Sequence, residues 1–148
     1  CGASAPENLC AVDSDCDEID CEGDYDGSTY FVICPTSETW EDAETLCIDA
    51  GYDGLATIMD SSEESFVEDL ADAAQTSSGT GQHNWLGLND IDSEGTYVWS
   101  SGLSSSYTNW NATNPDGGAE DCVIMADSDH MWHDNMCSYG RWPTCEAR

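Results

Sequence analysis

The sequence predicts an α+β domain rich in disulfides. Three observations carry that expectation: helical periodicity ends by Ala74, short strand-like strings fill the remainder, and nine cysteines stand among 148 residues. Helices followed by strands, rather than alternating with them, indicate segregated α and β layers. A chain of this length holds one core and is too short for two ordinary domains.

Residues 1–28 stand apart as an acidic, Cys-rich N-terminal extension. They hold four cysteines and nine Asp/Glu without apolar periodicity, so they bury no core of their own and depend on disulfides for order. The domain proper is expected over 29–148. "YFVIC" (30–34) reads as a buried strand, and "SETWEDAETLC" places Trp40, Ala43 and Cys47 at helical spacing. "ATI" leads into "DSSEESFVEDLADAA", where Ser61 and Glu64 have capping-box spacing and Phe66, Val67 and Leu70 form an inward stripe. After the polar loop "TSSGTGQ" the chain turns to short strands: "NWLGL", "TYVWS", "DCVIM", "MWH" and "RWPTCE".

Charge narrows the partners. Thirty-one Asp+Glu face two Arg and no Lys, a net charge of -29, which excludes nucleic acid and anionic membrane surfaces because both recruit basic side chains. Divalent cations, mineral surfaces, cationic partners and a salt-adapted solvated surface all fit. No apolar run reaches membrane-span length; Tyr30–Cys34 is typical.

Cysteine usage points to an oxidising compartment. No C-x-x-C occurs, and His83, His130 and His133 fall at no zinc-finger spacing, so disulfides in an exported protein are expected. A first residue of Cys rather than Met is what removal of a signal peptide leaves, and a truncated chain gives the same beginning. Nine cysteines cannot all pair within one chain, and Cys1 is the natural remainder. It can carry a lipid anchor at the cell surface, form an intermolecular disulfide in a homo-oligomer, or stay a free thiol.

Residues 29–146 resemble a C-type lectin-like domain. The resemblance rests on an ordered series of motifs: "TWEDAETLC", "LATI", "NWLGL", "VWSSG", "NW", a proline-containing loop, "EDCV", "WHDNMC" and a final "CE". It implies two helices, two small antiparallel sheets and a long loop region stabilised by calcium. It also implies the disulfides Cys47–Cys145 and Cys122–Cys137, leaving Cys10, Cys16, Cys21 and Cys34 in a pairing that the sequence does not fix.

The same resemblance implies a principal calcium site at Asn114, Asp116, Glu120 and Asp134, with the Asn114–Pro115 peptide cis. Two neighbouring sugar hydroxyls would complete the ion's coordination. Calcium prefers six to eight oxygens, which three carboxylates and an amide begin to supply. Asp90 and Glu94 of "NDIDSEG", with Glu120 and Asp121, correspond to an auxiliary structural calcium site. Glu63, Glu64 and Glu146 correspond to a peripheral one. The amide-Pro-acid order of Asn114-Pro115-Asp116 leans towards galactose-type sugars, although no aromatic in "GGAED" follows to stack on the ring.

His133 departs from the pattern, standing where sugar-binding members carry Asn. Its nitrogen suits a hard cation poorly, so either the site loses a ligand or His133 turns aside. Two functions follow. One is a calcium-dependent carbohydrate-binding module with His133 at the sugar site. The other is a structural protein of the same fold that self-assembles or binds mineral or ice. No G-x-S-x-G, P-loop or H-E-x-x-H motif occurs, and the expectation is a binding protein rather than an enzyme. "NAT" at Asn111 is a glycosylation sequon.

Overall fold

The computed structural model describes residues 21–148. Cys1, Cys10 and Cys16, with the expectations attached to them, lie outside the described residues. In order, the elements are β1 (Glu22–Tyr25), β2 (Tyr30–Ile33), α1 (Trp40–Asp49), β3 (Gly54–Leu55), α2 (Ser61–Ser78), β4 (Asn84–Asn89), β5 (Val98–Trp99), β6 (Cys122–Met125), β7 (Trp132–Asn135) and β8 (Trp142–Ala147).

One path of strands runs β1-β2-β8-β4-β6-β7, with β3 added to β8 and β5 to β4. The pairs β1-β2 and β2-β8 are antiparallel, as are β4-β6 and β6-β7. Between these two antiparallel groups, β4 and β8 make a short parallel pairing, Asn84 with Trp142 and Trp85 with Pro143. The packed sheet begins at Glu22, inside the segment that composition set apart as an extension. Disulfide Cys21–Cys34 closes the β1-β2 hairpin and holds this weakly apolar strand on the sheet.

Strand β4 is buried along its whole length and lies at the centre of the fold. Its glycine is required by crowding, because a Cβ on Gly87 would meet the Leu55 and Ala56 carbonyl oxygens at 3.0 and 3.2 Å. Trp85 donates its indole N–H to the Glu38 carbonyl, and Trp40 donates to that of Leu86, so buried indoles bond α1 and its approach to β4. Phe31 and Ile33 of β2 are fully buried against α2, each contributing roughly 1.5–3 kcal/mol by removal from water.

Helix α1 starts at Thr39, whose side chain accepts from the Asp42 N–H, and buries Trp40, Ala43 and Cys47. Helix α2 is capped one residue earlier than the sequence suggests. Asp60, not Ser61, accepts from the Ser62 and Glu63 N–H groups, and Glu63 in turn accepts from the Met59 N–H. The charged Asp60 carboxylate serves two N–H groups where a Ser61 hydroxyl would serve one. Val67 and Leu70 are buried and Phe66 packs against the core from its edge.

Glu64, freed from capping, is buried with 3% exposure and accepts hydrogen bonds from the Trp132 indole and the Asn109 amide. Burial is the largest influence on its carboxyl and raises it from 4.5 to about 7. Folded Glu64 therefore keeps its proton where an unfolded glutamate has released it. Its contribution to stability is full below pH 4.5 and is lost as pH rises through 7. Between those limits the parent is expected to lose on the order of 3 kcal/mol more stability than Glu64→Gln. Urea titrations of both proteins across that range check this.

Candidate functional site

The long connection from β5 to β6 carries Asp116 and Glu120, β7 carries Asp134, and β7 holds the connection in place. Trp132 of β7 donates its backbone N–H to Asn109 O at 2.8 Å and accepts from Asn111 N at 3.0 Å, fastening the loop to the sheet edge. The Asn114–Pro115 peptide is cis. Gly117 and Gly118 follow with φ of 77° and 86°, a left-handed turn open to glycine at little cost. That turn brings the Asp116 and Gly117 N–H groups onto the Asp134 carboxylate at 3.1 and 2.7 Å.

Oxygens of Asp116, Glu120 and Asp134 lie within 4.8 Å of one another. Asp134 is buried, Glu120 half-buried and Asp116 exposed, so the cluster forms a cup with one open side. Burial first, then the neighbouring Asp116 and Asp134 charges, raise the Glu120 carboxyl above its usual range. Tyr97 donates a long hydrogen bond of 3.4 Å to Asp134. Neither arginine answers these charges: Arg148 is engaged at Glu63 and Glu146, and Arg141 lies over the Tyr139 ring.

Both ring nitrogens of His133 are engaged. Nδ1 is 3.0 Å from the Asn114 amide nitrogen, and Nε2 is 3.1 Å from Asp129 Oδ2. A carboxylate only accepts, so the proton belongs on Nε2 and Nδ1 accepts from the Asn114 NH2 group. His133 is thus no ready ligand. It instead engages the Asn114 amide nitrogen, and none of that side chain's hydrogen bonds among the described residues uses its oxygen.

A second cluster joins Asp90, Glu94 and Asp121, again within 4.8 Å. Asp90 is 2% exposed; its Oδ2 accepts from the Gly95 N–H, while buried Oδ1 has no hydrogen-bond partner among the described residues. An unpartnered buried carboxylate oxygen is costly, and a divalent cation would offset that cost. Glu94 also accepts from the Gly118 N–H at 2.9 Å, linking the two clusters through the turn. Glu120 belongs to the first cluster and not to this one.

The peripheral acids separate. Glu63 and Glu146 both pair with the Arg148 guanidinium at 2.9 Å, so a side-chain cation already answers them. Glu64 instead accepts from the Trp132 indole, away from Arg148. Cys47 bonds Cys145, tying α1 to β8, and Cys122 bonds Cys137, clamping the chain just beyond each acid-bearing segment. Sequence reasoning missed Asp129 as the partner of His133, although the two stand four residues apart.

A two-helix domain with a central Trp-Leu-Gly-Leu strand, terminal disulfide and acid-lined long loop is a specific architecture. The chain belongs to the C-type lectin domain family, whose Lectin C-type domain model matches residues 36–147. It is 32% identical over 121 residues to the alpha-N-acetylgalactosamine-specific lectin of Patiria pectinifera, an alignment covering 77% of this chain and 70% of that protein. To Lectin BRA-3 of Megabalanus rosa it is 32% identical over 138 residues, covering 87% and 80%. Among solved structures, the calcium-free form of a Ca2+-dependent type II antifreeze protein superposes with a TM-score of 0.76 at 26% identity, covering 86% of this chain and 98% of the other. No helix among the described residues is long and apolar enough to cross a membrane.

Proposed function

We propose that this chain is a calcium-dependent carbohydrate-binding module of galactose type, acting outside the cell. The observation that carries the reading is the convergence of Asp116, Glu120 and Asp134 within 4.8 Å, with the Asn114 amide beside them and both arginines engaged elsewhere. Three carboxylates and an amide oxygen make a hard donor set that fits calcium and leaves coordination positions for sugar hydroxyls. The Asn114-Pro115-Asp116 order and the N-acetylgalactosamine specificity named for the Patiria relative both favour galactose-configured sugars. Asp90, Glu94 and Asp121, within 4.8 Å of one another, would hold a second, structural calcium. Export accords with the three disulfides among the described residues.

The test is retention on immobilised N-acetylgalactosamine in calcium. Release by EDTA and by free galactose, but not by mannose, is the expected result. Passage through the column unretained would remove the sugar reading. Likeness to an antifreeze protein supports the second reading, an ice-binding or structural role, and thermal hysteresis of an unretained protein would favour it.

A further inference from the structure

A cavity of about 370 Å³ opens between β4, β5 and the loop over residues 102–110, next to the acid clusters and distinct from them. Its volume lies within the range of small-molecule pockets. Buried Leu88 and Trp99 form part of the lining, Tyr97, Tyr107 and Trp110 contribute ring faces and edges, and Leu103 stands exposed on it. Trp99, Tyr107 and Trp110 all pack edge-on against Trp132, with centroids 5.5–5.9 Å apart, which fixes their orientations.

The lining is uncharged. None of its eleven residues is acidic or basic, on a chain in which 22% of residues are charged and roughly two would be expected here. Two of its five hydroxyls are engaged: Ser105 bonds the Met59 carbonyl and the Tyr107 N–H, and the Tyr97 hydroxyl bonds Asp134, while those of Ser104, Tyr107 and Thr108 have no hydrogen-bond partner among the described residues. The lining therefore combines aromatic and aliphatic surface with a few neutral hydroxyls, and it is free of carboxylates on a protein of net charge -29. Anions are repelled by the surroundings, and cations find better partners in the acids nearby. A neutral, ring-sized apolar group is the occupant that this surface suits.

Tyr97 sets the position of that occupant. Its ring lines the cavity while its hydroxyl reaches Asp134, so cavity and acid cluster share one wall. We infer that the cavity binds an uncharged aromatic or alicyclic group, carried as the aglycone of a glycoside whose sugar sits at Asp116, Glu120 and Asp134. The aglycone assignment rests on the sugar-binding reading, whereas affinity for the apolar ring does not.

The experiment has two arms. In EDTA at neutral pH, saturation-transfer NMR with p-cresol, an uncharged probe, is expected to give saturable transfer to the ring protons. Leu103→Asp should weaken it at least about tenfold, since a carboxylate then faces the ring; Leu103 is 41% exposed, so the variant should keep the parent's circular dichroism. Absence of saturable transfer, or equal binding by parent and Leu103→Asp, overturns the proposal. In calcium, p-tolyl β-galactoside should bind about tenfold tighter than methyl β-galactoside, and Leu103→Asp should erase that ratio alone. Equal affinities in the parent overturn the aglycone assignment. If neither galactoside binds while p-cresol does, the sugar reading fails and the aromatic site stands.

Discussion

Replacing Asp134 by alanine is expected to abolish calcium binding at the principal site and, with it, retention on galactose-type sugars. Asp134 is 2% exposed and contributes to the cup from beneath, where water cannot replace its charge. It also accepts from the Asp116 and Gly117 N–H groups, so its removal loosens the turn that presents Asp116. The two roles can be separated. Asp134→Asn keeps an oxygen for one of those N–H groups and removes the charge, and should still lower calcium affinity by about a hundredfold or more. Asp92→Ala, an exposed acid outside both clusters, should leave affinity unchanged within about twofold. Calorimetric calcium titrations of the three variants give the comparison directly.

The largest expected loss of stability comes from the bond between α1 and β8. Cys47 and Cys145 are separated by 98 residues, so their link removes much of the unfolded chain's freedom, worth about 4–5 kcal/mol. Cys122–Cys137, with a separation of 15, is worth about 3 kcal/mol on the same basis. Against a net stability of roughly 5–15 kcal/mol for a domain, the paired variant Cys47→Ala/Cys145→Ala should be marginally folded. Urea unfolding should show its midpoint collapse while that of Cys122→Ala/Cys137→Ala falls by less. A paired variant at Cys47 and Cys145 within about 1 kcal/mol of the parent would mean that packing, not this link, holds the helix.

What could be read in advance divides along physical lines. "NWLGL" announced a buried strand because apolar runs bounded by polar turns leave few alternatives, and it became β4. Trp40, Ala43 and Cys47 announced the inward face of α1 for the same reason. Strand β1, "EGDY", has no apolar alternation; it exists because β2 offers an edge and Cys21–Cys34 holds it there. The cap of α2 lay one residue off, since Asp60, Ser61 and Ser62 all suit the position and only backbone geometry chooses among them.

For the candidate site, residue types and spacing supplied the acids only through family resemblance. Composition could not distinguish them from the other carboxylates of so acidic a chain. Glu64 illustrates the difficulty: a glutamate is surface by default, and only the fold places it beneath Trp132. The engagement of His133 with Asn114 and Asp129 depends on the turn at residues 126–131, including His130 at a φ of 55°, which local sequence does not dictate. The uncharged cavity gathers residues from 88 to 110 and has no linear signature.

The central claim is that these clustered carboxylates form working calcium sites. Calorimetric titration of the parent chain with calcium in low-salt buffer, followed by galactose, tests it most directly. The account predicts binding in the range of roughly 0.1–1 mM, common for extracellular modules, and galactose heat that appears only once calcium is present. No calcium heat, or galactose heat unchanged by EDTA, would contradict it.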